Sequence, residues 1–272
     1  MTPPGIAVVI STYNAPAFLQ LVLDGYRKQS DLNFTIYIAD DGSGEETKDL
    51  VIRYQADFPV PVKHIWHEDS GFRKSKIHNI TIRQIDEPYV LLTDGDCVPL
   101  PRMVETHRKF AKRGQLISGG RVLLSRTWTQ SLCDGTAELH SDASLTEWFS
   151  NRLNNNINRI LPFLIPSHLG KAGHKLRGIR GCHLSCWLDD LRKINGFDET
   201  YQGWGREDSD LVARLFHAGI YRRELRGMPV LHLWHQEEER GQLNKNDRLL
   251  QACLENRRVE ALKGLKQLQE RS

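Results

Sequence analysis

Hydrophobic positions along this chain come in short continuous runs, each ending abruptly in polar residues. Ile6-Ala7-Val8-Val9-Ile10 is apolar throughout and stops at Ser11-Thr12-Tyr13-Asn14. Phe34-Thr35-Ile36-Tyr37-Ile38-Ala39 stops at Asp40-Asp41-Gly42-Ser43-Gly44, and Tyr89-Val90-Leu91-Leu92-Thr93 stops at Asp94-Gly95-Asp96. Runs without alternation mark strands covered on both faces, as in a parallel sheet. Val62 to Trp66 predicts one more strand. Between the runs the period changes. Phe18, Leu19, Leu21, Val22 and Leu23 open a helix reaching about Gln29, a charged helix follows from about Glu45 to Gln55, and Ile77, Ile80 and Ile85 pattern a helix over 75–85. This β-α-β-α-β-α-β order predicts an α/β fold with a doubly wound, mostly parallel central sheet flanked by helices. Right-handed crossovers then set the loops after the first, second and fourth strands along one edge, where open α/β sheets bind ligands.

The second half is less regular. A helix is predicted over Arg102–Lys112 and a strand over Leu116–Ser125. Gly119-Gly120 inside that strand marks a bulge or a close approach to a ligand. Thr127–Gly173 has no readable period and is either a helical excursion or a loop over the crevice. Gly178–Trp187 reads as a strand, and Asp189–Ile194 as a short helix closed by Asn195-Gly196. Leu211, Val212, Leu215 and Phe216 stripe a helix that Gly219 stops. Tyr221–Trp234 contains a strand ending in His232-Leu233-Trp234-His235. From about Lys245, Leu249, Leu250, Cys253, Leu254, Ala261, Leu262, Leu265 and Leu268 predict one long amphipathic helix.

Composition narrows the class. The chain has 272 residues, 39% hydrophobic and 26% charged, in keeping with one large α/β domain or a domain with an insertion. A net charge of +3 carries no polyanion-binding signature, so a nucleic-acid partner is not expected. Five cysteines without regular pairing argue against a disulfide framework and for buried thiols. The N-terminus has five consecutive apolar residues and no basic region, so neither a signal peptide nor a membrane span is expected there. From Arg240 onward, eight Lys/Arg face four Asp/Glu. A basic amphipathic helix of this kind lies on an anionic membrane or packs on the body of the protein.

The strand ends carry the candidate chemistry. Asp94 and Asp96, separated by a glycine, suit a hard divalent cation held by oxygen, or simply form a polar turn. Asp40-Asp41 is a turn, or a carboxylate pair reading the uncharged part of a nucleotide. Phosphate would need Arg73, Lys74, Lys76 or a metal; these cations also suit a solvated face. Glu207, Asp208 and Asp210 stand where acidic residues favour a helix N-terminus. Gly203-Trp204-Gly205 before them is harder to explain as capping. A flat indole beside paired carboxylates suits a sugar, with one carboxylate taking a hydroxyl proton. His232, with His235 the weaker choice, can complete a manganese-like shell as neutral imidazole.

VVISTYN, IADDGS, GFRKSKIHN, LLTDGDCVP, RGCHLSCW, NGFDE, GWGREDSD and HLWH, in this order across residues 6–235, resemble the GT-A glycosyltransferases of the family 2 type. The second half also resembles the galactosyltransferase C-terminal region and the bacterial chondroitin-polymerase type. The resemblance implies a GT-A domain over 1–240, with 1–100 its nucleotide half and 101–240 its acceptor half, and a C-terminal helix over 241–272. It implies an inverting transfer of a hexose or N-acetylhexosamine from a UDP-sugar to an oligosaccharide or lipid-linked glycan, as in lipopolysaccharide or capsule synthesis. Mn²⁺ or Mg²⁺ would assist, in the cytoplasm or peripherally on the inner face of the plasma membrane. By the same resemblance Thr12, Tyr13 and Asp41 contact uridine, with Asn14, Asp40, Arg73, Lys76, Asn79 and Gly95 around the nucleotide. Asp94 meets ribose or sugar, Asp96 and His232 bind metal, and Asp208 is the base. Glu207, Trp204, Gly205 and Arg180 hold acceptor or sugar. Ser209 stands where relatives often carry another acid, and 127–173 matches nothing in the pattern. Two other readings compete. A nucleotidyltransferase would need a basic glycine-rich phosphate loop near the N-terminus, which STYN is not. A carbohydrate-binding protein with a degenerate site would tolerate loss of Asp208.

Overall fold

The hydrophobic runs become one half of a sheet. The computed structural model describes residues 4–236 and 241–268. In it β1 (Ile6–Thr12), α1 (Pro16–Arg27), β2 (Phe34–Asp40), α2 (Glu45–Ala56), β3 (Val62–Trp66), α3 (Lys74–Arg83) and β4 (Tyr89–Asp94) alternate as their periodicity predicts. Their order is β3-β2-β1-β4, every pairing parallel. Register aligns the strand ends: Thr12 lies opposite Asp40, and Ser11 opposite Asp94. Alternate residues of β1 serve two cores: Ile6, Val8 and Ile10 join one, Ala7 and Val9 the other. That two-sided burial is why these strands read as unbroken apolar runs.

The chain continues through β5 (Cys97–Val98), α4 (Met103–Phe110), β6 (Gln115–Leu123), α5 (Arg126–Cys133), α6 (Leu145–Leu153), α7 (Leu161–Leu164), β7 (His168–Leu169), β8 (Leu184–Trp187), α8 (Leu188–Lys193), α9 (Glu207–His217), β9 (Tyr221–His232), α10 (Leu243–Glu255) and α11 (Leu265–Leu268). The sheet extends β4-β8-β6-β9-β5, with β7 beside β9. β8 runs antiparallel to both β4 and β6, whereas β6 and β9 are parallel.

Two expectations change, and an open one is decided. The strand expected over 178–187 is confined to β8, because Gly178 has φ 82° and Gly181–His183 forms a 3₁₀ turn. The stretch 127–173 is a helical excursion, α5 to α7, returning to the sheet edge at β7. The tail is not one long helix. α10 ends at Glu255, Arg257 takes φ 47°, and the chain then docks on the body, Ala261 and Leu265 donating N–H to the Ile194 and Asn195 carbonyls. Cys253, Ala261 and Leu265 are buried, so the tail's apolar side is largely consumed by packing. Arg240, the Leu268 side chain, Glu270 and Arg271 lie outside the described residues. Among the described residues no helix is long and apolar enough to cross a membrane, and all five cysteines are free thiols, four of them buried.

Candidate active site

The ends of β1 and β4 build the first wall. Ser11 Oγ donates to Asp94 Oδ1 at 2.7 Å, and Lys74 Nζ donates to the same oxygen at 2.7 Å. Gly95 N–H closes the turn on the Ser11 carbonyl at 2.7 Å, and a Cβ there would lie 3.0 Å from that oxygen. Lys74 opens α3, so helical spacing turns Lys76 away from Asp94. Arg73 spends its guanidinium on the Glu68 carbonyl.

The loop after β2 is mostly self-contained. Asp40 is fully buried, accepting from His64 Nε2 and the Ser43 N–H, each at 2.8 Å, so it braces the loop. Asn14, at φ 44°, donates its N–H to Ser43 and accepts from Gly44. Asn79 is also spent internally, pairing with the Phe197 backbone and Glu199. In this structure Asp40, Asn14 and Asn79 hold the wall together. Asp41 accepts from His67 Nε2 at 2.7 Å and the Arg73 N–H at 2.8 Å. Tyr13 stays half exposed with its hydroxyl on Asp69, and Thr12 Oγ1 is buried without a partner, a polar atom left for a ligand.

The opposite wall is the first turn of α9. Its N-cap is Arg206, at φ 78° with no side-chain cap bond, so Glu207 and Asp208 are not spent on capping. Gly203 at φ 66° and Gly205 at φ 105° carry the chain past Trp204, which is 39% exposed. Arg180 is exposed, its guanidinium on the Ile179 carbonyl. Asp208 packs against the Gly181 backbone, its Oδ2 lying where it would be 2.0 Å from any Cβ at that position. Burial raises the proton affinity of Asp208, opposed by the Lys74 charge. Burial and the neighbouring Asp208 charge push Glu207 up to about 7. Lys74 feels Asp94, Asp208 and Glu207 together, and they hold it well above its ordinary range. One ammonium therefore sits among carboxylates from both halves of the chain.

The third group lies where β9 passes the DGD turn. His235 Nε2 is 3.0 Å and His232 Nε2 3.6 Å from Asp96 Oδ2. Both imidazoles face the same oxygen, and His232, the expected choice, is the one whose ligand atoms cluster with Asp96 and Cys97 within 4.8 Å. Burial alone would raise Asp96, but the His235 hydrogen bond and the His232 charge hold it at about 2. Burial lowers the proton affinity of His232, opposed by the Asp96 charge. Cys97 Sγ belongs to the same cluster, but burial keeps it a thiol, an unsuitable ligand for a hard ion. A carboxylate beside imidazole nitrogens fits Mn²⁺ better than Mg²⁺, which favours oxygen. Asp94 acts electrostatically on both His232 and Asp208, so it stands between the metal-type cluster and the base-type cluster.

Residues 7–165 match the family described as Glycosyl transferase family 2, well over half of the chain. The chain belongs to glycosyl transferase family 2. Residues 170–235 of this family 2 chain match a second description, N-terminal domain of galactosyltransferase, over the stretch that carries GWGRED and HLWH. Hyaluronan synthase of Pasteurella multocida is 23% identical over 257 residues, covering 90% of this chain and 26% of the relative. Validoxylamine A glucosyltransferase of Streptomyces hygroscopicus subsp. jinggangensis is 27% identical over 232 residues, covering 80% and 52%. The family 2 chain thus spans about a quarter of the hyaluronan synthase and half of the glucosyltransferase. Its fold is that of the GT-A enzymes. S. aureus TarS in complex with UDP-GlcNAc superposes with a TM-score of 0.63 at 14% identity, over 96% of this chain and 68% of that one. Mannosyltransferase PcManGT from Pyrobaculum calidifontis, in complex with GDP-Man and Mn²⁺, gives 0.57 at 16% identity, over 93% and 62%.

Lys74 and Gly181 are the site residues that sequence reading undervalues. Lys74 was one of several cations in GFRKSK, and only the start of α3 singles it out. Gly181 carries no signal of its own, since its role is to have no side chain beside Asp208.

Proposed function

We propose that this chain is an inverting, divalent-metal-dependent glycosyltransferase. It moves a hexose or N-acetylhexosamine from a UDP-sugar to a hydroxyl of a glycan, in the synthesis of a bacterial surface polysaccharide on the cytoplasmic side. Residues 1–100 supply the nucleotide half, 101–240 the acceptor half, and 241–272 a buttress. The observation that carries this reading is the shared ammonium of Lys74, bonded to Asp94 at 2.7 Å and acted on by Asp208 and Glu207. Such a centre holds a donor on one side and an acceptor hydroxyl on the other. Thr12, Tyr13 and Asp41 line the base and ribose, and Asp94 and Lys74 orient the sugar and its diphosphate. Trp204 offers the sugar an aromatic wall, and Glu207, with its raised proton affinity, can donate to or accept from a hydroxyl. Asp208, packed against the Gly181 backbone, takes the acceptor proton as the oxygen attacks the anomeric carbon opposite the leaving diphosphate. Asp96, His232 and His235 would hold the metal, which when bound offsets charge on the diphosphate.

The UDP donor and the metal are supported by neighbours solved with UDP-GlcNAc and with GDP-Man and Mn²⁺. The test is Asp208→Asn. It keeps shape and removes the proton acceptor, so transfer should fall by about 10³-fold or more while calorimetry still registers UDP-sugar binding. Turnover near that of the unaltered chain would overturn the assignment of the base.

A further inference from the structure

The excursion α5–α7 has an apolar surface that the body does not cover. On α6 Leu145, Phe149 and Leu153 are 51, 47 and 80% exposed, and on α7 Leu161 and Leu164 are 63 and 42% exposed. Leu145, Phe149, Arg152 and Leu153 fall within an arc of about 100° on α6. Trp148 is the one buried residue of that helix, and its indole stacks on Phe163 with centroids 4.2 Å apart and planes 4° apart. The helix thus turns a single aromatic inward and its apolar stripe outward, the reverse of an ordinary surface helix. It is internally finished: Ser144 and Glu147 form a capping box, with Glu147 on the side away from the stripe.

Charge identifies the occupant. Residues 145–180 carry six Lys/Arg (Arg152, Arg159, Lys171, Lys175, Arg177, Arg180) against one acid, Glu147. The whole chain has a net charge of only +3, so the remainder is net negative. Among the described residues none of the six has a carboxylate partner. A second copy of this chain meeting the same face about a two-fold axis would oppose these cations to themselves. The tail helix, the other basic amphipathic segment, has its apolar side packed on the body.

We propose that α6 and α7 form a docking surface for an anionic phospholipid membrane. The apolar stripe enters the headgroup–acyl boundary, and the cations of residues 145–180 meet lipid phosphates. The surface is rooted beside the candidate metal group: Leu124 N–H donates to the His232 carbonyl at 2.9 Å, and Trp234 N–H to Thr129 Oγ1 at 2.9 Å. Docking there would bring the site beside membrane-held molecules. The proposal stands on surface chemistry and does not rest on the transferase reading.

The experiment is co-sedimentation of the full chain with vesicles of phosphatidylcholine, with and without phosphatidylglycerol. Binding is expected only with phosphatidylglycerol, and is expected to weaken as salt rises. Phe149→Ser with Leu153→Ser should lower partitioning by about tenfold or more, and Lys171→Glu with Lys175→Glu should remove the preference for phosphatidylglycerol. Hydrogen exchange of the unaltered chain gives a readout independent of any variant's folding, and vesicles should slow exchange in peptides spanning 145–164. The proposal is overturned by absence of vesicle binding, by protection confined to the tail, or by sedimentation velocity showing a dimer that these substitutions dissociate.

Discussion

Gly181 dictates where the Asp208 carboxylate can sit. A methyl group there would lie 2.0 Å from Asp208 Oδ2 and 2.3 Å from Cγ, closer than atoms can pack, so the carboxylate must swing away. Misplacing a reacting group by about 1 Å costs about 10²-fold in rate. Gly181→Ala is therefore expected to lower kcat by about that factor with UDP-sugar affinity and melting temperature little changed; an unaltered kcat would separate Asp208 from the chemistry. Behind the same turn runs a buried chain of hydrogen bonds whose direction is fixed by its end. His183 Nδ1 faces the Gly120 carbonyl at 3.1 Å and must donate, so His183 Nε2 accepts from His107 Nε2 at 2.9 Å. His107 Nδ1 then accepts from Ser185 Oγ at 2.7 Å, which accepts from the Tyr89 hydroxyl at 2.9 Å. The two facing Nε2 atoms have room for one proton between them, so both rings cannot be charged at once. Burial lowers His183 to about 4 and His107 well below its ordinary value. An unfolded histidine titrates near 6.5, so the unfolded chain binds more protons below that pH. Stability is full above about pH 6.5 and falls as pH drops toward 4, by about 2 kcal/mol at pH 5 for His183. Thermal melts between pH 7 and 5 should show this loss, and His183→Gln should flatten the slope while lowering the melting temperature at pH 7. An unchanged slope would mean His183 is not held neutral.

Among the elements, the hydrophobic pattern reveals those whose faces are decided by burial. β1, β2 and β4 are apolar throughout because both faces are covered, and α9 is legible from Leu211, Val212 and Leu215, all buried. α6 escapes such reading because its apolar residues point outward and only Trp148 points inward. Gly119-Gly120 was legible as a bulge or a close approach, and the register shifts between Gly119 and Arg121. What approaches, however, is His183, whose ring would lie 2.0 Å from a Cβ on Gly119, and no local spacing encodes a partner so distant in sequence. The GWG loop shows the same limit. Its glycines announce a bend, but its shape is set by α10: Asn246 Nδ2 donates to the Gly205 carbonyl at 2.8 Å and the Gln202 carbonyl at 3.1 Å. A Cβ on Gly203 would meet Gln242 at 3.1 Å, and one on Gly205 would meet Leu243 at 3.1 Å. Asn246→Ala strips both carbonyls of their donor in a buried place, costing about 1–3 kcal/mol. Because the loop presents Trp204, the acceptor KM is expected to rise more than kcat falls; an equal loss in melting temperature with KM unmoved would make Asn246 purely structural.

At the scale of the whole molecule, the acidic clusters near 41, 96 and 208 are far apart in sequence, and sheet topology gathers them. Parallel β1, β2 and β4 end at one edge, and antiparallel β8 brings the Gly181–His183 turn, hence Asp208, back to it. The ordered motifs made that gathering legible, whereas the clamp that fixes α9 was not. Asp210 and Asp198 are fully buried, and Arg258, beyond α10, reaches both with Nη2, at 3.0 and 3.1 Å. Arg214, also buried, holds Asp210 at 2.7 Å and the Ile194 and Gly196 carbonyls at 2.7 Å each. Read as sequence, Asp210 is one more acid at a helix start and Arg258 one more cation in a basic tail. Their pairing means the tail is part of the same cooperative unit as the site. Removing one partner of a buried pair leaves an uncompensated charge, which costs about 3–5 kcal/mol. Asp198 keeps the Thr200 and Leu262 donors and Asp210 keeps Arg214, so Arg258→Ala is expected near the lower figure. Its melting temperature should fall by several degrees, with kcat falling in step because α9 carries Asp208. Arg258→Lys, which keeps the charge on a shorter side chain, should recover part of the stability. Full stability in Arg258→Ala would show that the tail rests on the body without holding α9 in place.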